Sequence, residues 1–153
     1  MPEKKTKKRA LKAKRQGKSG STQAGEYVRE EIHHVRQGKH GARSTKQAIA
    51  IGLSKARRAG VKVGTPKKGT TSASTRKKAA RDTKKGQSRK RSASKTRSRA
   101  TSRALKREGR SAASRKSLSR QGRSAAKRRS AADRSAAAKK AARTRKANRA
   151  KKR

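Results

Sequence analysis

The chain has 153 residues, of which 53 are Lys or Arg and 7 are Asp or Glu, giving a formal net charge of +46 at pH 7. Hydrophobic residues make up 26 % and aromatics 1 %, so little apolar area can offset the entropy of ordering the backbone, and most of the chain is expected to be disordered when alone. Such a charge calls for a polyanion: nucleic acid, an anionic membrane or an acidic protein.

Membrane-surface helices carry Trp, Phe or Leu opposite their cations. Here Trp and Phe are absent and the leucines (Leu11, Leu53, Leu105, Leu118) are isolated, so no membrane partner is expected. The opening PEKKTKKRALKAKR has no apolar stretch behind it and does not read as a secretory signal, and no run approaches membrane-spanning length. A cytoplasmic protein is expected. Cysteine is absent, which removes disulfide and thiolate chemistry.

Three segments follow in chain order. Residues 1–20 form a basic arm, with charge runs at Lys4, Lys5, Lys7, Lys8, Arg9 and at Lys12, Lys14, Arg15; phosphate contact is the functional reading and a solvated tail the bland one.

Residues 21–63 hold every Ile and Val of the chain (Val28, Ile32, Val35, Ile49, Ile51, Val61, Val63). Ala24, Val28, Ile32 and Val35 recur at three and four residues, one stripe of a helix that should stop near Gly38. Glu26 and Glu30 project away from that stripe and are expected to form an outward acidic face that points away from DNA. Ser44 with Gln47 is an S-x-x-Q capping box opening a second helix. Ala48, Ile49, Gly52, Leu53 and Ala56 line its inner face, Arg57 and Arg58 suit its last turn, and Gly60 with Val61 reads as a left-handed cap. The two helices are expected to pair as an αα-hairpin, with Gly52 allowing close approach. A hairpin this small is marginal alone, so it should gain a partner, either DNA or a second copy contacted through Ile51.

The loop GKHGAR between the helices sits at the start of the second, where free N–H groups and the dipole favour an anion. Lys39, His40, Arg43 and Lys46 would surround that point as a phosphate clamp; the alternative is a plain turn with solvated charges. A nucleotide-binding P-loop is excluded, because Lys12 stands where the first glycine ahead of Gly17 should be and no strand precedes either glycine-rich site. His33, His34 and His40 with Glu30 raise a metal reading, but zinc sites usually want four well-placed ligands and Cys is lacking. No metal or other cofactor is expected. No serine sits in a folded context with a base and an orienting carboxylate, so no enzyme is expected.

Residues 64–153 are low in complexity: R-S-A-A recurs at Arg110, Arg123, Arg129 and Arg134 with unequal spacing, a bias and not a solenoid repeat. No core is expected there. Ala, Lys and Arg are good helix formers, so the tail should gain helix once phosphates neutralise its charge. T-P-K-K at Thr65 resembles the S/T-P-K-K unit of linker-histone tails; a plain linker is the alternative reading. The phosphate-contacting set extends from the loop through Arg57, Arg58, Lys62, Lys67 and Lys68 to the clusters Arg89, Lys90, Arg91 and Lys127, Arg128, Arg129.

The stretch EYVREEIHHVRQGKHGARSTKQAIAIGLSKARRAGVKV resembles the module of a bacterial family of small basic proteins filed as a domain of unknown function. That resemblance implies a bacterial origin and brings no catalytic or binding residues with it. The tail is similar in composition to linker-histone tails and bacterial histone-like proteins, though it is rich in Arg and Ser and lacks proline after Pro66. The fold expected is mainly α: a two-helix hairpin flanked by disordered or conditionally helical basic tails. The function expected is non-enzymatic, largely sequence-nonspecific DNA binding and condensation in the nucleoid. The alternatives are an RNA- or ribosome-associated protein and a protein-binding module tethered to nucleic acid by its tail.

Overall fold

A computed structural model describes residues 2–88 and 94–150. The protein is mainly α, with helices α1 (Lys4–Arg15), α2 (Gly20–Arg36), α3 (Thr45–Arg58), α4 (Ala73–Gln87), α5 (Lys95–Lys106), α6 (Arg115–Lys127) and α7 (Ala131–Ala150), and a 3₁₀ turn at Ser111–Ala113. It divides into two compact units, 1–117 and 118–153.

In the first unit α2 and α3 pack together along the expected stripes. Ala24 and Val35 of α2 and Ala48 and Ala56 of α3 are fully buried. The contact is close because Gly52 lacks a side chain: a Cβ there would stand 2.6 Å from Val28 Cα. Local signals set the ends of the pair. Ser44 accepts a hydrogen bond from the Gln47 amide at 3.2 Å, and Gly38 and Gly60, both at positive φ, follow α2 and α3 as left-handed caps. Lys39 N–H closes the first cap on His34 O, and Val61 N–H closes the second on Ala56 O.

The pair is not a free-standing hairpin. The segment read as a basic arm is α1, which turns a seam of small residues, Thr6, Ala10 and Ala13, onto the fold and leaves its cations outside. Ala10 joins Ala24, Tyr27 and Ala56 in the core, with Leu53, Val61 and Val63 against them. On the other side α4 packs on α3 and buries Ala79 and Asp82. The unit therefore runs past both boundaries suggested by composition, at residues 20 and 63. Within the unit Ala24, Ile32 and Val35 of the stripe are buried by the chain's own packing.

The expectation that nothing after residue 63 contributes to a core is corrected by Ala79, Asp82, Ala112 and Ala113, all buried. The first R-S-A-A copy makes the 3₁₀ turn and buries its two alanines against α2 and α3. The copies at Arg123, Arg129 and Arg134 lie exposed in the second unit. The physical difference is context: alanine is small enough to fill the space left where two helices already meet, and has nothing to fill on a lone helix. α5, α6 and α7 bury no residue.

Candidate nucleic-acid interface

With so few acids in the chain, where each one points decides which cations stay open. Glu3 accepts from His34 Nε2 at 2.8 Å and from Lys39 Nζ at 3.3 Å. These two hydrogen bonds, His34 first, hold its carboxyl below the usual range. Glu31, 1 % exposed, binds Lys55 Nζ through Oε2. Glu30 accepts from the Glu3 amide at 3.2 Å and lies 3.9 Å from Lys55. Asp82 takes Ser54 Oγ at 2.7 Å and Arg58 Nε at 2.8 Å. Glu108 is 3.6 Å from Arg43, and Asp133 accepts from Ser130 Oγ at 2.9 Å at the start of α7.

The outward acidic face expected on α2 is therefore corrected. Glu30 is 5 % exposed, and one oxygen of Glu26 is also buried. Buried carboxylates need compensation from nearby cations and donors, and Lys55 on the facing helix supplies it for both Glu30 and Glu31.

The loop at Gly38–Arg43 departs from the clamp reading in a similar way. Three of its amides are already taken: Gly41 N–H donates to Leu105 O at 2.8 Å, Ala42 N–H to Gly109 O at 3.0 Å, and Arg43 N–H to Gln47 Oε1 at 2.7 Å. The approach of residues 105–113 is fixed further by Thr45 Oγ1 donating to Ala112 O at 2.7 Å and Arg36 Nε donating to Ala113 O at 2.8 Å. Of the clamp side chains, His40 faces Glu31 at 3.2 Å, while Lys39, Arg43 and Lys46 remain at the surface. The surface pairs of Lys39 with Glu3 and Arg43 with Glu108 are weak and exchangeable.

Arg57, expected to face phosphate, points inward. It is 7 % exposed, donates from Nη2 to Gly64 O at 3.1 Å, and burial pushes its guanidinium below its ordinary value, against the charge of Asp82. Arg58 is held by Asp82. Lys62, Lys67 and Lys68 are exposed, as are Lys127, Arg128 and Arg129. Arg89, Lys90 and Arg91 lie outside the described residues.

No family model, curated protein or solved structure matches the chain.

Two cationic rows were missed in the sequence. On α5, Lys95, Arg99, Arg103 and Lys106 recur at four, four and three residues and are all exposed. They fall on one face along about 16 Å of helix axis at 1.5 Å per residue. On α6, Arg120, Arg123 and Lys127 form a shorter row of the same kind. The signal is a helical period carried by cations, with no hydropathy contrast to mark a face. Like charges one turn apart oppose the helix until a polyanion neutralises them.

The histidines also sort differently from expectation. His33 is exposed, whereas His34 and His40 approach edge to face with ring centroids 6.1 Å apart. Glu31, not Glu30, completes the group: Glu31, His34 and His40 each present a ligand atom within 4.8 Å of the other two.

Proposed function

We propose that this chain is a non-enzymatic, largely sequence-nonspecific DNA-binding protein that neutralises and condenses duplex DNA in the bacterial nucleoid. The α1–α4 body serves as a folded hub, and the later basic helices form fully on the phosphate backbone.

One observation carries the reading. Among the described residues the Lys and Arg side chains in ion pairs are Lys39, Arg43, Lys55 and Arg58, in a chain with 53 Lys and Arg. Most of the acids are engaged by partners inside the fold, so the remaining positive charge has no internal counterpart and needs an external one. The rows on α5 and α6 repeat at helical spacing, which suits contact with a regular line of phosphates. Tyr27, the chain's one aromatic residue, is 3 % exposed, so it offers no platform for stacking unpaired bases, which favours duplex over single-stranded targets.

The test is direct binding of the full chain, at one fixed salt concentration, to two duplex DNAs of unrelated sequence, a structured RNA and vesicles of anionic lipid. The two duplexes should bind equally and more tightly than the RNA or the vesicles. Tighter binding to the RNA would replace this reading with the ribosome- or RNA-associated one.

A further inference from the structure

The geometry points to a divalent transition-metal site, of the kind that takes Zn(II), built from Glu31, His34 and His40. The carboxylate is the centre of the case. Glu31 is 1 % exposed and its Oε2 is held by Lys55, but its Oε1 is buried with no hydrogen-bond partner among the described residues. A buried carboxylate oxygen left without a donor is unfavourable by an amount that folds rarely tolerate without a function.

What faces that oxygen is His40 Nε2, 3.2 Å away. The other ring nitrogen, Nδ1, is 3.0 Å from Gly41 O. A carbonyl can only accept, so Nδ1 carries the proton, and a neutral His40 presents a lone pair from Nε2 to the lone pairs of Glu31 Oε1. Two acceptors turned toward each other in a buried place are stabilised by a cation between them. His34 brings a third ligand atom within 4.8 Å of both.

Two of the ligands are also held by second partners: Gly41 O fixes the His40 tautomer, and Lys55 occupies the far oxygen of Glu31, so that Oε1 alone would bind. Such outer partners orient ligands and set their basicity. Two imidazoles and one carboxylate without thiolate suit Zn(II) and its neighbours and leave a fourth position for water. Bonds of about 2.0–2.2 Å require the three ligand atoms to draw together by small side-chain rotations. The ion would tie the Gly38–Arg43 loop to α2, a structural role separate from any DNA contact.

The test titrates the full, metal-stripped chain with Zn(II) and follows the three histidine ring signals by NMR, in parallel with Co(II) and its visible absorption. One ion per chain should bind, shift the rings of His34 and His40, leave His33 unmoved and raise the melting temperature. His40→Ala and His34→Ala should each weaken binding at least tenfold. His33→Ala should bind as the unmodified chain does. The site is wrong if the unmodified chain fails to take up Zn(II), or if all three histidine rings shift alike. It is equally wrong if either His34→Ala or His40→Ala binds as tightly as the parent.

Discussion

Asp82 on α4 and Arg58 on α3 meet at 2.8 Å, and the second oxygen of the same carboxylate takes the Ser54 hydroxyl at 2.7 Å. One acidic residue from the low-complexity tail thus joins α4 to the hairpin. Asp82→Ala should lower the stability of the first unit by about 1–3 kcal/mol, because it leaves Ser54 and Arg58 without their acceptor. Arg58→Gln should cost at least as much, because it leaves the buried Asp82 carboxylate without its paired cation. Thermal melts of the two variants followed by circular dichroism check the order; equal melting temperatures for Asp82→Ala and the parent would contradict the docking of α4.

Gly52 and Val28 set the distance between α2 and α3. A side chain at residue 52 would push on Val28 backbone as well as its methyls, 2.6 Å and 3.0 Å from the new Cβ, and backbone cannot rotate aside. Gly52→Val should destabilise the unit by about 1–3 kcal/mol, the usual range for overpacking, measured by denaturant melts.

The pairing of α2 with α3 was legible in the sequence because three independent signals agreed there: a stripe at 3.6-residue spacing, a capping box at Ser44 and glycines at both helix ends. The seam Thr6, Ala10, Ala13 has the same helical spacing, yet small residues among lysines carry no hydropathy contrast and the seam passed as a solvated arm. Ala112 and Ala113 were hidden for a related reason, since identical R-S-A-A copies elsewhere stay exposed and burial depends on the partner surface rather than on the tetrapeptide. The acids misled in the opposite direction. Glu26 and Glu30 look like a solvated face until the facing helix is known to place Lys55 against Glu30. For the candidate interface, the loop cations Lys39, Arg43 and Lys46 lie at the surface, but the pairing of Gly41 and Ala42 amides with residues 105 and 109 depends on contacts more than sixty positions apart.

That pairing is itself testable. A Cβ at Gly41 would collide with the Glu108 carbonyl, so Gly41→Ala should lift residues 105–113 off the loop while leaving α2 and α3 packed. Amide hydrogen exchange at Ala42 should rise sharply and that at Ala48, inside α3, should not change. Unaltered exchange at Ala42 would mean that the carbonyl contacts do not protect the loop.

Tyr27 provides a pH test with its own optical signal, as the chain has no other aromatic residue. Burial, and secondarily the charge of Glu30, raises its hydroxyl above the ordinary 10.0. The folded chain therefore holds that proton more firmly than the unfolded chain does. The stabilisation is complete below the unfolded value and declines as pH rises through the folded one. Absorbance at the tyrosinate band should titrate above pH 10 in native buffer and return to the ordinary value in denaturant. The same midpoint in both conditions would show that Tyr27 is not buried.

The claim that unpaired cations are the binding surface is tested most directly by the salt dependence of affinity for duplex DNA. If about ten phosphates are neutralised, log affinity should fall against log salt with a slope near −9, at about −0.9 per phosphate. Replacing Lys95, Arg99, Arg103 and Lys106 of α5 by Gln should flatten that slope by up to about 4, whereas Arg57→Gln, buried and away from solvent, should leave it unchanged in the folded protein. A slope near zero for the parent chain, or one that the α5 replacements do not alter, would contradict the account.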